Sequence, residues 1–386
     1  MKESKKNSRK GIQKQEASAK AGFRIPFPLI WLSVAVLVLY LPSTNFDFTE
    51  LDDSIFIKEQ QAYNQNLSNL VTSFKRGVFN VTEDVYYRPL LLDSFILNYQ
   101  VSGTSIKGFH VVNILLHLIS VLLLFVLLRK LQFREVHAFL LTLLFAVHPV
   151  LSQAVAWIPG RNDTLLAVFT FSFFICAVDY SKNGKVTSLL LQMLLLLAAF
   201  FTKETAVFAA PAAFLLLVGL LNKHWLDRKN IVLYATWIAA FLLWLFVRSQ
   251  ATLKNEQMQF TQVFAALPSR LPVLIQYLGK IILPVNLSVF PIMKDTAYTY
   301  GVIAVALLAA GIYFPKEKNW RVIAGGILIY VLFLIPALLV PNTLNDQDFE
   351  HRLYLHIIGI LILLSQTILL KNHWKDRTVF FGGIAV

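Results

Sequence analysis

FHVVNILLHLISVLLLFVLL, residues 109–128, decides the fold. It has no charged residue, and roughly 20 mostly apolar residues are what a helix needs to cross a bilayer. It stops at Arg129 and Lys130, the kind of basic flank that marks a cytoplasmic membrane edge. Working outward, similar blocks fall at about 25–42, 136–157, 164–180, 186–202, 205–221, 231–248, 297–314, 322–341 and 353–370. The 386-residue chain is 56% hydrophobic and 15% charged, with a mean hydropathy of +0.61. A soluble domain is nearer half apolar and a quarter charged. Disordered, collagen-like and disulfide-scaffold chains are excluded, and an ordinary soluble enzyme is disfavoured. The expectation is an all-α polytopic membrane protein, a helical bundle of about ten or eleven transmembrane helices.

Charge sets the topology. Thirty-five Lys+Arg against 22 Asp+Glu give a formal net charge of +13. The basic residues sit between apolar blocks, so they read as topology signals and not as a nucleic-acid surface. Residues 1–24 hold eight Lys/Arg and two Glu and read as a cytoplasmic basic tail. The block at 25–42 lacks a following small-x-small site, so it reads as a retained signal anchor. Basic connections (Arg129, Lys130 and Arg134; Lys182 and Lys185; Lys316, Lys318 and Arg321) alternate with connections that carry most of the acids. The basic set goes to the cytoplasm, the acidic set to the periplasm or lumen. Two long regions, 45–107 and 250–296, fall outside. The segment 270–290 would break the alternation if it spanned, and its Pro272, Lys280 and Pro284 suit an interfacial or re-entrant helix. Only nine residues follow Arg377, too few to span, so the chain is read as a fragment or as stopping inside a further helix. Cys176 is the single cysteine; it reads as a small buried hydrophobe.

No Walker loop, GxGxxG, HExxH or CxxC is present, which removes support for an ATP-driven pump or a nicotinamide enzyme. Polar residues instead gather at the outer ends of the blocks, where ionisable groups are costly and become functional candidates. Five clusters stand out. Asp52 and Asp53 follow the first block; paired carboxylates suit a general base or a divalent cation, against the alternative of a solvated acidic turn. Arg88 precedes Pro89, and its planar fork matches phosphate, against the alternative of snorkelling to lipid; His110, Asn113 and His117 then share one helical face, which suits helix–helix glue for His117. His148, Gln153, Arg161 and Asp163 lie around a break at Pro159. Lys203 and Glu204 sit between two apolar runs, adjacent and so not facing each other. Asp346, Asp348, Glu350, His351 and Arg352 form the last cluster, in which Glu350 and Arg352 are candidates for a surface ion pair. One shared face implies one cavity for a lipid-linked substrate, its tail in the bilayer and its phosphate among the charges.

In order, LDDSIFI (51–57), YYRPLLLDSF (86–95), GFHVVNILLH (108–117), HPVLSQAVAWIPGRND (148–163), FFTKETAVFAAP (200–211) and FEHRLYL (349–355) resemble the GT-C membrane glycosyltransferases. The similarity is to the branch of protein O-mannosyltransferase-like enzymes and transmembrane-and-tetratricopeptide-repeat proteins with their bacterial relatives. It covers roughly residues 30–365.

The resemblance implies a GT-C-like catalytic domain over 25–386, a polyprenyl-phosphate sugar donor, and inverting transfer to an acceptor hydroxyl on a protein, glycan or lipid. It implies Asp52 as general base, with Asp53 supporting it or sharing a divalent cation. Arg352 would neutralise the donor phosphate, helped by Arg88, Arg161 or Lys203. His110, His148, Asp163, Glu204, Glu350 and Tyr354 are further pocket candidates. Gln153 stands where many relatives have Glu, and His356 where relatives often have Pro. No tetratricopeptide repeats follow. The expected location is a bacterial inner membrane, or the ER membrane in a eukaryote; sequons at Asn66 and Asn80 would matter only in the latter. A lipid or polysaccharide transporter, or a non-catalytic envelope scaffold, are the competing classes. A transporter would want ionisable groups near the bilayer midplane, whereas here the block centres are nearly free of charge.

Overall fold

The computed structural model describes residues 24–49, 51–79, 86–251, 267–339 and 349–371. The basic tail, apart from Arg24, lies outside them, as do Asn80, Asp346, Asp348 and the last fifteen positions. Among the described residues the chain is helical with no strand, as the hydropathy blocks require.

Among the described residues five helical stretches are long and apolar enough to cross a membrane, or six if the bent pair Glu135–Val147 and Pro149–Ala156 counts as one span. This is fewer than the ten or eleven expected, because several of the apolar blocks form helices too short to count. Helix α1 (Pro28–Tyr40) starts on a proline, whose missing N–H costs nothing at a first turn, and runs into a tight turn at Leu41–Asn45. Helix α2 (Pro89–Ser102) lies within the region 45–107 and is not among the five. Helix α3 (Ile106–Lys130) is the span that decided the fold. Helix α4 (Glu135–Val147) gives way at His148–Pro149 to a short α5 (Ser152–Ala156), bent by 51°. The block expected as one span at 136–157 is therefore a broken pair, because Pro149 cannot continue the helix that precedes it.

Helix α6 (Arg161–Asn183) spans and ends at Gly184 in the left-handed conformation. Helix α7 (Val186–Phe200) is shorter. Glu204–Leu220 is a further short apolar stretch, containing α8 (Ala209–Phe214) and a widened turn. Helix α9 (Arg228–Ala251) spans. Helix α10 (Pro272–Ile282), 11 residues, is about half the length a span requires. Helix α11 (Thr299–Tyr313) is short and apolar, and α12 (Trp320–Leu338) spans.

Helix α13 (Leu353–Leu364) is the innermost element: every residue from Leu353 to Leu363 is buried. It touches α12 almost backbone to backbone. A Cβ on Gly359 would fall 2.5 Å from both Gly326 O and Tyr330 N, so only glycine permits this approach.

The described residues of 45–107 fold as a cap with its own small core, Phe56, Ile57, Val78, Leu91, Leu92 and Phe95, completed by Phe109 and Ile158 of the bundle. Arg161 joins cap to bundle. It is fully buried. Its Nε donates to Asn113 Oδ1 (2.8 Å), Nη1 to Ser94 O (3.1 Å), and Nη2 to Asn98 Oδ1 (2.6 Å) and Phe109 O (3.0 Å). Its guanidinium lies over the rings of Phe95 and Phe109. A buried guanidinium is tolerated because its N–H groups find acceptors and its faces find aromatic rings.

Candidate functional site

Four stretches of chain meet where the cap closes on the bundle. The first follows α1. Asp53 is buried, and its Oδ2 accepts from Thr49 N and Thr49 Oγ1, each at 2.7 Å. Trp157 Nε1 donates to the same Thr49 hydroxyl at 3.2 Å. Asp53 thus holds the turn that presents Asp52. Asp52 itself is half-buried, and its carboxyl makes no hydrogen bond among the described residues. Burial, and then the charge of Asp53, push its pKa above the ordinary range; the Arg88 charge pulls it back. Asp52 and Arg88 therefore lie within electrostatic reach of each other.

The second stretch is Tyr86–Pro89. Pro89 starts α2 and biases Arg88 to a non-helical backbone, which turns its side chain away from the helix axis. Arg88 Nε and Nη2 each lie 2.9 Å from Glu204 Oε2, and Tyr87 N donates to Glu204 Oε1 at 3.0 Å. Leu90 N donates to Phe201 O at 3.0 Å. The beginning of α2 is thereby stitched to the turn after α7.

That turn is the third stretch. Lys203 Nζ lies 2.6 Å from Asp163 Oδ1 and 2.8 Å from Asn162 Oδ1. Asp163 sits in the first turn of α6, where the helix dipole favours a carboxylate. Lys203 and Glu204, adjacent in sequence, reach opposite ways to two different partners.

The fourth stretch precedes α13. His351 is buried between the rings of Trp157 (5.4 Å) and Phe349 (5.2 Å). Its backbone N (3.1 Å) and Nδ1 (3.3 Å) both approach Gln153 Oε1. Arg352 lies over the Phe349 ring at 5.5 Å. Arg88, Lys203 and Arg352 all lie within electrostatic reach of Asp163 and of His351. The result is a half-buried carboxylate, Asp52, beside a layer of three cations and the carboxylates Glu204 and Asp163.

All five expected clusters contribute to this layer, but not every candidate residue faces it. Glu350 does not pair with Arg352 at the surface. It is buried, and its Oε1 accepts from Lys280 Nζ (2.8 Å) and Ser288 N (2.9 Å), which ties α10 to the approach to α13. Arg161 is engaged with protein acceptors in the cap–bundle joint. His148 Nε2 contacts Ile281 O at 2.8 Å, and its Nδ1 accepts from Val150 N at 3.2 Å. That pattern places the proton on Nε2. Tyr354 OH is 2.5 Å from His117 Nδ1, and His117 Nε2 contacts Ala146 O at 3.0 Å, so this pair binds α3, α4 and α13 together. His110 is buried edge-on to Phe46.

Sequence reading missed the roles of Gln153, Trp157 and Lys280. Gln153 was marked only by standing where many relatives have Glu, and Trp157 carried no signal beyond its place in a polar cluster. Lys280, an ionisable group in an apolar stretch, marked only the doubt about that stretch. Among the described residues no group of three or more metal-type ligands is found. Asp53 Oδ2 is engaged by Thr49, while its buried Oδ1 has no hydrogen-bond partner there.

Residues 89–247 match the family model described as dolichyl-phosphate-mannose-protein mannosyltransferase. The chain is 27% identical over 394 residues to the protein O-mannosyl-transferase F38B6.6 of Caenorhabditis elegans, covering 95% of this chain and 54% of that relative. It is 33% identical over 191 residues to the protein O-mannosyl-transferase Tmtc1 of Drosophila melanogaster, covering 49% of this chain and 22% of that relative. With the mouse protein O-mannosyl-transferase TMTC4 identity is 44% over 115 residues, 26% of this chain and 15% of the relative. The chain spans about half, or less, of the length of the curated relatives it matches. Both comparisons agree with the resemblance carried by the ordered motifs.

Proposed function

We propose that this chain carries the membrane-embedded catalytic unit, within residues 25–386, of a glycosyltransferase that moves a sugar from a polyprenyl-phosphate to an acceptor hydroxyl. The observation that carries the reading is Asp52, a half-buried carboxylate with no hydrogen-bond partner among the described residues, placed within electrostatic reach of Arg88 at the edge of a three-cation layer. The matched family and relatives are named for mannosyl transfer to protein, so mannose and a protein hydroxyl are the first pair to assay.

Asp52 accepts the acceptor hydroxyl proton as that oxygen attacks the anomeric carbon. The bond from that carbon to the phosphate oxygen breaks, and the electron pair leaves with the lipid phosphate. Attack opposite the leaving group inverts the anomeric centre. A base near the pH of its task is most effective, and partial burial of Asp52 moves it that way. The leaving phosphate is stable as an anion and needs charge stabilisation more than protonation, which preorganised cations supply. Arg352 is assigned the principal contact; Arg88 and Lys203, held by Glu204 and Asp163, add positive charge at fixed positions. Asp53 positions Asp52 through the Thr49 turn. Arg161 is reassigned from phosphate binding to holding the cap on the bundle. The site is assigned to the periplasmic or lumenal side, because the opposite end carries the basic connections.

The test is transfer from polyprenyl-phosphate sugars to candidate acceptors by full-length protein in lipid nanodiscs, with products read by mass spectrometry. Asp52→Asn should slow product formation at least about 100-fold while leaving donor binding intact. Normal transfer by a folded Asp52→Asn protein would refute the assignment.

A further inference from the structure

Helices α3, α11 and α13 end, and α4 and α12 begin, at the end of the bundle away from the candidate site. Helix α3 runs 25 residues from Ile106 to Lys130, a rise of about 37 Å. At that far end lies a cavity of about 660 Å³. Its wall carries three cations from separate connections: Arg134 after α3, Lys316 after α11, and Lys371 near the end of the described chain. One carboxylate, Glu317, accompanies them. Gln132, Ser365 and Gln366 add neutral polar groups, and Phe133, Leu220, Val322 and Leu370 give the cavity an apolar side.

We propose that this cavity binds an anionic phospholipid through its phosphate head group, at a site separate from the proposed sugar-transfer centre and independent of that activity. The height of the cavity argues for a lipid. Phe314, which lines the cavity, is exposed, as are Tyr313 beside it in sequence and Trp320 at the start of α12, and exposed aromatic residues of this kind belong at the level of lipid head groups. Charge argues for an anionic head. Three cations drawn from separated segments surround one concavity, whereas cations that serve only as topology signals need no shared cavity. Basic pockets between membrane helices suit such head groups, each nearby cation adding to the affinity. The apolar wall accommodates the first carbons of the acyl chains, which a free phosphate would leave uncovered.

The test uses full-length protein in nanodiscs made from equal parts phosphatidylglycerol and phosphatidylcholine, followed by native mass spectrometry of retained lipid. Phosphatidylglycerol should be retained selectively. The Lys316→Gln/Lys371→Gln variant should lose about tenfold or more of that retention. Should the double variant prove unfolded by its thermal transition, Lys316→Gln alone, an exposed position, serves with a smaller expected loss. Equal retention of the two lipids, or unchanged retention in a folded variant, overturns the proposal. Competition with millimolar inorganic phosphate separates the two sources of a phosphate group. Undisturbed phosphatidylglycerol supports the lipid site, and its complete displacement would mean that the cavity takes free anions instead.

Discussion

The Arg88 guanidinium grips the Glu204 carboxylate through two nitrogens, each 2.9 Å from Oε2, across 116 positions of sequence. This ion pair fixes the lip of the cap against the turn after α7 and aims Arg88 toward the edge where Asp52 stands. Glu204→Gln keeps the shape and removes the charge. The pair is partly exposed, so the loss of stability should be about 1–3 kcal/mol, below that of a fully buried pair. Thermal unfolding in detergent reads this. Donor affinity should fall as well, because Arg88 is no longer held.

Asp52 sets the acid limb of the pH profile. A base works only when deprotonated, and burial with the Asp53 charge moves the Asp52 titration upward. The rate should therefore rise with pH through a pKa above the usual carboxylate range and then level off. Asp52→Asn should reduce kcat by at least about 100-fold, the scale of general-base catalysis, and abolish that limb. A rate–pH profile of both proteins checks it. An unchanged acid limb in the variant would assign the limb to another group.

Arg352→Ala should weaken binding of a polyprenyl-phosphate donor by about tenfold or more, as expected for a lost charge-assisted contact. The fold should survive, since Arg352 is only half-buried. Isothermal titration with a non-transferable donor analogue measures it, and unchanged affinity would remove Arg352 from the phosphate site.

Arg161 behaves differently. Four hydrogen bonds and two aromatic faces depend on it, so Arg161→Met should destabilise the protein by about 3 kcal/mol or more. Limited proteolysis should then cut first in the cap. A variant with full stability and weakened donor binding would restore Arg161 to the phosphate site.

Asp93 in the cap gives a stability test. Burial raises its pKa from 3.8 to about 6, and the nearby Ser73 hydroxyl offsets part of that rise. The folded protein thus holds its proton more tightly than the unfolded chain does. The stability tied to that proton is fully present below about pH 4 and is lost as pH rises through about 6. Asp93→Asn should remove this dependence and stabilise the protein at neutral pH by up to about 3 kcal/mol. Thermal unfolding of both proteins between pH 4 and 8 compares them.

The amino-acid sequence by itself determined that the chain is a helical membrane protein, and it located the blocks, the polar clusters and their order. Those properties follow from local composition: the length of an apolar run, a proline, a charge at a block end. Only the tertiary structure decided the partners. Glu350 was equally consistent with Arg352 two positions away, yet it is bonded to Lys280 from a helix 70 positions away. Arg161 looked like a phosphate ligand until the cap closed around it. His148 and Tyr354, polar groups in the right clusters, point into helix joints. The physical reason is common to all of them. A charge leaving water must find a counter-group, and which one it finds depends on which helix faces touch and where a helix breaks, as α4 does at Pro149. Those contacts join residues tens to hundreds of positions apart, and no local pattern of residues encodes them.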